Sequence, residues 1–458
     1  MRIQSCLIRN GGVCGFLIGA CLLWTQTAHA EVTLIEKDGW SFFTDGRINA
    51  FISTGFGDDF PAGTPNPGGP PHAVVGGSAL GAAGQNTQQD DASNKYFAMR
   101  VRNGFVGSIT GFGVRRNVTP TTVAKSYIAL WGHIESFNRD QTNPNQFDVR
   151  EGYANFDGPW GSFTAGRALG LFGRISTEIN FMYGHNYGLG YPCGDDQGPT
   201  CGHIGTGVMF PGFAAGMLYS SPSFGGLKLH LGVYDPVRLL GAWNRAPIAR
   251  PEGAITFEQK ISPSVNFKVA AEGMIQRVAR AGDVEGQPGK QVDITDTVWG
   301  ASGGGRLEAG PVRFGASIYR GKGLGQYYAL QNAPTVFDPN TLEIRSFTGV
   351  YAQAALVLGQ LQLSAGVGRV TIDQLENDKL NFQLSNAKSQ TGISAAVYYS
   401  VSDSVVLGLD YFRFQTDWYG ARNSAFGADG TTPELRDGYL PGEKQVVNYI
   451  NAGVTYHW

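Results

Sequence analysis

Much of this chain alternates apolar and polar side chains with a period of two. Over 227–233, Leu227, Leu229, Leu231 and Val233 share one face, and Lys228, His230 and Gly232 share the other. Over 265–276, Val265, Phe267, Val269 and Ala271 oppose Asn266, Lys268 and Glu272. Over 360–367, Leu361, Leu363, Ala365 and Val367 oppose Gln360, Gln362, Ser364 and Gly366. Val405, Leu407, Leu409 and Tyr411 oppose Gly408 and Asp410, and Ile450, Ala452, Val454, Tyr456 and Trp458 oppose Tyr449, Asn451, Gly453, Thr455 and His457. This period belongs to strands whose two faces meet different surroundings. Beyond residue 30 no helical period persists through a helix's length.

Segmentation predicts strands at 44–56, 96–112, 122–135, 147–156, 162–169, 213–221, 227–235, 254–261, 265–277, 297–309, 312–321, 344–358, 360–370, 389–401, 404–414 and 444–458. One further hairpin would raise the count from 16 to 18. Tight connections such as Asp157-Gly158-Pro159-Trp160-Gly161, Ser262-Pro263-Ser264 and Ser402-Asp403 alternate with long ones at 57–95, 136–146, 170–212, 236–253, 278–296, 322–343, 371–388 and 415–444. Long and short connections in strict alternation are the asymmetry of a transmembrane barrel, with short periplasmic turns and long outer loops. Aromatic residues, among them Trp40, Tyr153, Trp160, Tyr219, Tyr399, Tyr411, Tyr456 and Trp458, lie near the predicted strand ends, where interfacial girdles belong.

Composition sharpens this picture. Charged residues make up only 16%, aromatics reach 12%, and 66 of 458 residues are Gly. The mean hydropathy is nearly neutral, as when an apolar and a polar face cancel. The near-zero net charge of −2 gives no electrostatic basis for binding nucleic acid. At the N-terminus, Arg2 and Arg9 precede a short apolar run at 13–24 and the Ala28-His29-Ala30 cleavage pattern, so 1–30 reads as a secretory signal peptide and 31–458 as the barrel. The alternative is a lipoprotein leader ending before Cys21. Beyond the leader no apolar run is long enough for a spanning helix, and a spanning chain without one must close into a barrel. Cys193 and Cys201 are the two cysteines beyond the leader, and export favours a disulfide between them over two free thiols. No ligand-spaced cluster suggests a metal, and no cofactor is expected.

Several short motifs, taken in order, resemble the general diffusion porins of Gram-negative outer membranes. They are Gly46-Arg47, Arg102-Asn103-Gly104-Phe105-Val106-Gly107, the 150–156 strand with its Gly161-Ser162-Phe163 turn, Gly166-Arg167, and a last strand ending in an aromatic, here Trp458 where Phe is common. The resemblance implies an all-β, transmembrane antiparallel barrel of about 16 strands, usually a homotrimer, whose third long loop folds inward and narrows a water-filled channel for passive diffusion of small hydrophilic solutes and ions. It also implies contact with outer-membrane lipid and lipopolysaccharide, and delivery by the barrel-assembly machinery through the C-terminal strand. Loop 170–212 would be the constriction, stiffened by a Cys193–Cys201 bond. In this family basic wall residues face loop acids. Arg47, Arg100, Arg102, Arg150 and Arg167 are the wall candidates, and Glu178, Asp195 and Asp196 the loop candidates. Alternation turns Arg47 inward if Ile48, Ala50 and Ile52 face lipid. It turns Arg100 and Arg102 inward if Met99, Val101 and Phe105 do.

Two other functions compete with a general pore. Inward aromatics such as Phe51, Tyr234, Tyr319 and Tyr449 are compatible with a substrate-specific channel for a sugar or an anion. An outer-membrane hydrolase would need a Ser-His pair on an outer face, and none stands out. Gly300-Ala301-Ser302-Gly303-Gly304 matches G-x-S-x-G, but it lies within a predicted strand with no helix after it. No catalytic residue is assigned.

Overall fold

The structure is a computed structural model that describes residues 31–58, 96–132, 147–182, 190–191, 200–239, 243–283, 291–325, 336–338, 341–376, 387–419, 421–426, 433–440 and 444–458. In chain order the strands are β1 (Val32–Lys37), β2 (Trp40–Gly57), β3 (Tyr96–Arg102), β4 (Ser108–Thr119), β5 (Thr122–Gly132), β6 (Phe147–Gly158), β7 (Gly161–Leu169), β8 (Phe213–Ser220), β9 (Leu227–Tyr234), β10 (Arg250–Ser262), β11 (Val265–Asp283), β12 (Gln291–Ala309), β13 (Val312–Lys322), β14 (Ser346–Leu358), β15 (Leu361–Ile372), β16 (Ala387–Ser400), β17 (Val405–Trp418), β18 (Ala421–Phe426), β19 (Pro433–Leu440) and β20 (Lys444–His457). One short helix, α1 (Arg174–Glu178), lies between β7 and β8.

Strands next to one another around the ring pair antiparallel, β17 passes directly to β20, and β2 closes the ring by pairing Arg47–Gly57 with β20. β3 and β4 share one flank of β2, its upper and lower halves, and so occupy one strand position. β1 pairs with Trp40–Thr44 on the flank that β20 takes higher up, so the two chain ends share another. The result is a closed barrel of 16 strand positions. β18 and β19 form a separate hairpin.

The side chains sort as the alternation predicts. Ile48, Ile52, Met99, Val101, Leu229, Leu231, Val233, Leu407 and Leu409 are exposed on the outer surface. Asn49, Ser53, Gln353, Ser364, Ser394, Asn451 and Thr455 are buried on the inner one. At the short-turn end Trp160 stacks on Tyr219 and Tyr456 on Trp458, with centroids 6.4 and 6.0 Å apart.

Three departures have local causes. The predicted strand 96–112 breaks at 103–107, where the backbone leaves the ladder. Asn49 satisfies the groups this strands: its Nδ2 donates to the carbonyls of Val106 and Gly107 at 2.9 and 3.2 Å, and its Oδ1 accepts from Gly104 N at 2.9 Å. Phe105 therefore points inward, against Phe210, rather than toward lipid. Segment 278–296, expected to be a loop, is largely strand: β11 and β12 run 19 residues each and pair from Val265–Ala309 to Asp283–Gln291. Because about 9–11 residues span a bilayer, this wall stands well above it. By contrast β7, β8 and β9, which adjoin that wall through β10, hold 9, 8 and 8 residues, so the neighbouring rim is low.

Asn49→Ala removes an acceptor and a donor that three buried backbone groups need. Each orphaned group costs about 1–3 kcal/mol, so we expect a loss of several kcal/mol in urea unfolding of the barrel folded into lipid vesicles. Asn49→Asp, which keeps only the acceptor, should fall between the two.

Candidate functional site

The inner loop crosses the lumen. Leaving β7 at Gly170, the chain turns inward because two wall carboxylates meet its backbone. Glu252 Oε2 accepts from Leu171 N and Phe172 N at 3.0 and 2.8 Å. Glu272 accepts from Gly173 N and Ile175 N, both at 2.7 Å, and from Ser302 Oγ at 2.8 Å. Gly173 N and Ile175 N are orphan donors at the start of α1, Leu171 N and Phe172 N lie just before it, and a carboxylate is the natural acceptor for such a run of N–H groups. Arg250 Nε lies 2.7 Å from Glu252 Oε1, so the anchor is a buried pair. Ser302, from the set-aside G-x-S-x-G, thus serves this anchor from within β12.

Further along, the loop is pinned to the rest of the ring. Gln353 Nε2 donates to the Ile179 carbonyl, and Gln362 Nε2 to that of Phe181 at 3.3 Å. Thr206 and Gly207 lie against β14 and β15, so that a Cβ on Gly207 would collide with the Val350 carbonyl. Gly207 holds φ +96, a left-handed conformation that favours glycine. Asn451 Nδ2 reaches Gly190 O at 3.2 Å. Thr200 N donates to Asn103 O at 3.1 Å, and Phe210 packs edge-on to Phe105. Between these contacts Phe172, Ile175, Ile179, Tyr191, Ile204, Val208 and Met209 bury against the wall.

His203 lies at the centre of this packing. Its Nδ1 is 2.8 Å from Tyr351 Oη and 3.2 Å from Asn180 Nδ2. Burial pushes its pKa down to about 3. Cys201 is disulfide-bonded, while Cys193, Asp195 and Asp196 lie outside the described residues.

The wall arginines separate into two groups. Arg47, Arg100, Arg102 and Arg150 are inward. Arg47 pairs across strands with Ile109 and His457, Arg100 with Ser53, and Arg102 with Phe51, all on the inner face. Arg102 is 1% exposed, covered where the loop meets the β3–β4 break, whereas Arg100 and Arg150 are half-buried. Arg150 occupies a bulge opposite Ala129 and Leu130; its Nε lies 2.9 Å from Asp148 and its guanidinium 4.9 Å over Trp131. Arg167 does not belong to the wall. It pairs with Gly152 and Ala215, which share the outer face with Ile128 and Met217, and it is exposed there. The preceding Gly166, not Arg167, faces inward toward Tyr153.

Glu178 also departs from the expected arrangement of loop acid against far basic wall. It lies 2.5 Å from Lys268 Nζ, on the wall that α1 leans against, and Arg306 Nη1 donates to its carbonyl at 3.3 Å. Lys268 and Arg306 belong to the lumen charge although no motif singled them out. Their signal was the alternation itself, since Lys268 opposes Val269. Lys125 and Glu31 form a further inward pair at 2.7 Å, with Arg115 at 2.5 Å from the same carboxylate. Phe51, Tyr234, Tyr319 and Tyr449 are inward as read, but all are at most 4% exposed, packed rather than lining water.

Comparison with known proteins follows this geometry. A family model described as Gram-negative porin matches residues 20–418. Among solved structures, the outer membrane channel DcaP of Acinetobacter baumannii superposes with a TM-score of 0.60 at 13% identity, covering 93% of this chain and 100% of that one. An anion-selective porin from Comamonas acidovorans gives 0.56 at 11% identity, covering 92% and 100%. OmpT of Vibrio cholerae gives 0.50 at 12%, covering 93% and 99%. No curated protein matches the sequence.

His203 sets a pH dependence for the loop. Its lowered pKa means that the docked loop excludes the proton that the freed histidine binds below its ordinary 6.5. Docking is therefore at full strength above pH 6.5. It weakens by up to about 1.4 kcal/mol per unit as pH falls toward 3. Hydrogen-exchange protection factors at residues 200–210, which are corrected for the intrinsic exchange rate, should fall between pH 6 and 4, and His203→Gln, which cannot charge, should remove that dependence.

Proposed function

The chain belongs to the Gram-negative porin family and forms a diffusion channel across the outer membrane, and on that footing we propose that it is a weakly selective pore for small hydrophilic solutes. The observation that carries this reading is the pairing of the lumen's charges. Arg150 is held by Asp148, Lys125 by Glu31 and Lys268 by Glu178. A paired lumen offers a permeating ion little net potential, and selectivity then depends chiefly on width. The buried state of the inward tyrosines weighs against an aromatic path for one preferred solute.

The same reading includes a leader at 1–30 that is cut after Ala30, and delivery to the assembly machinery through β20. It also includes a homotrimer whose subunits meet on the low β7–β8 side. Two features support that contact face. Strands of 8 and 9 residues stand at or just below the shortest that span the lipid. Arg167, on the outer face beside Gly152 and Ala215, would be costly against hydrocarbon.

Planar-bilayer recording tests the pore. Under a tenfold salt gradient the reversal potential should stay well below the roughly 59 mV of an ideally selective channel, and conductance should rise linearly with solute. Saturation by one sugar or anion would instead favour a specific channel. Cross-linking in mild detergent should yield species of up to three copies for the wild type and fewer for Arg167→Glu. A monomer at every protein concentration would contradict the trimer.

A further inference from the structure

The inner face of the wall is covered unevenly. On β12 to β16 and on β20 the inward residues Ser302, Ser317, Gln353, Ser364, Ser394 and Asn451 are at most 9% exposed. The loop lies over this stretch. Ile179 packs on Gly315 and accepts from Gln353, Phe181 accepts from Gln362, Met182 touches Ser394, and Gly190 meets Asn451. Arg47 and Arg102, the basic pair of β2 and β3, are buried as well.

The wall of β6 and β7 differs. Midway along these strands Tyr153, Thr164 and Ala168 are only half-buried and Gly166 is exposed, although all four face inward. In the next pairing Gly166 meets Gly216 and Ala168 meets Ala214, so four small residues keep the lumen clear at this point. Gly166 holds φ +128, and a Cβ there would strike the Gly152 carbonyl, so the backbone itself keeps the position bare. The outgoing limb of the loop passes over β8 to β10, where Leu171 packs on Leu218, Tyr234 and Ala254. The returning limb lies on the other side, where Phe210 meets Phe105 and Phe213 is 5.2 Å from Trp131. The two limbs straddle β6 and β7 and leave their mid-strand faces open.

Below this gap the open wall widens to β11, with Ser220, Lys228, His230, Thr256 and Lys268 half-buried. His230 is tied between Ser220 Oγ at 2.8 Å and Thr256 Oγ1 at 3.0 Å, and Lys268 is paired with Glu178. Lys228 has no hydrogen bond or ion pair among the described residues, and Asp157 acts on it only from beyond ion-pair distance. At the upper edge half-buried Arg174 is held by the carbonyls of Gly170 and Leu169, at 3.1 and 2.7 Å, and not by a carboxylate.

We infer that permeant solutes cross along β6 and β7, through a gap bounded by Tyr153, Gly166, Ala168 and Arg174, and that Arg174 and Lys228 give this lane a modest preference for small anions. The inference rests on the pore reading above. It moves the passage off the Arg47 and Arg102 face, which is buried, and onto the face from which the loop itself departs. A cation without a carboxylate partner acts on a passing ion more strongly than the paired charges elsewhere in the lumen.

Cysteine variants recorded in planar bilayers test the route, each treated with a trimethylammonium methanethiosulfonate and weighed to establish modification. The native Cys201 is disulfide-bonded and does not compete. T164C and A168C should be modified and should lose roughly half of their single-channel conductance, because flow through a constriction follows its open width. S317C and S364C, beneath the loop, should resist the reagent and conduct as the wild type does. K228Q should shift the reversal potential in a salt gradient toward cations, and K228R should keep the wild-type value. A heat-modifiable band establishes that each variant is folded. Block at S317C or S364C would overturn the lane and leave the pore standing, as would folded T164C and A168C that the reagent does not reach or that conduct fully once modified. An unchanged reversal potential in K228Q would overturn the charge preference. A wild type that passes no current would instead contradict the pore itself.

Discussion

In hydrocarbon no water is present to satisfy a backbone N–H or C=O, so every such group in the wall must find its partner in a neighbouring strand. Closure of β2 on β20 meets that demand for the whole ring, and most features of this molecule follow from it. The two chain ends share one position so that neither leaves an open edge. Where the ladder does fail, at 103–107, a buried asparagine supplies the missing donor and acceptor. The inner loop obeys the same rule, for its backbone crosses the lumen only where Glu252, Glu272, Gln353, Gln362 and Asn451 reach out from the wall to meet it.

Those inward polar residues have a second consequence. A wall that must hold a loop in place carries acceptors and donors at fixed heights, and its charges are largely committed to partners. Glu178 illustrates this. It does not project an unopposed field across the lumen but neutralises Lys268 on the wall beside it. The lumen is thus narrowed chiefly by packed loop, with charge in local pairs. On the outer face of β13, β15 and β17 the opposite holds: charge is excluded from the apolar stripe and reappears at its end, as Arg320, Arg369 and Arg413 show.

The strand positions were legible because period-two alternation is forced wherever one face meets lipid and the other does not. That constraint ends at the bilayer edge, which is why the upper parts of β11 and β12, carrying Arg280, Asp293 and Thr295, read as loop although they pair to Asp283 and Gln291. Inward placement of Arg47, Arg100 and Arg102 followed from their apolar neighbours. Arg167 was assigned by motif position, and the alternation around Phe163 and Ala165 would have turned it outward. Phe105 could not be read from parity, because the strand break resets it. The wall carboxylates that hold the loop appear in sequence only as polar members of alternating runs, and nothing local marks them as anchors.

The central claim, that alternate residues of one strand meet lipid and the lumen, is tested most directly by a nitroxide scan along β9, Leu227–Tyr234, in lipid bilayers. The account predicts strong collision with oxygen at 229, 231 and 233 and with a water-soluble nickel chelate at 228 and 230, the two profiles alternating out of phase. Equal access of the chelate to both sets of positions, or no alternation in either profile, would contradict it.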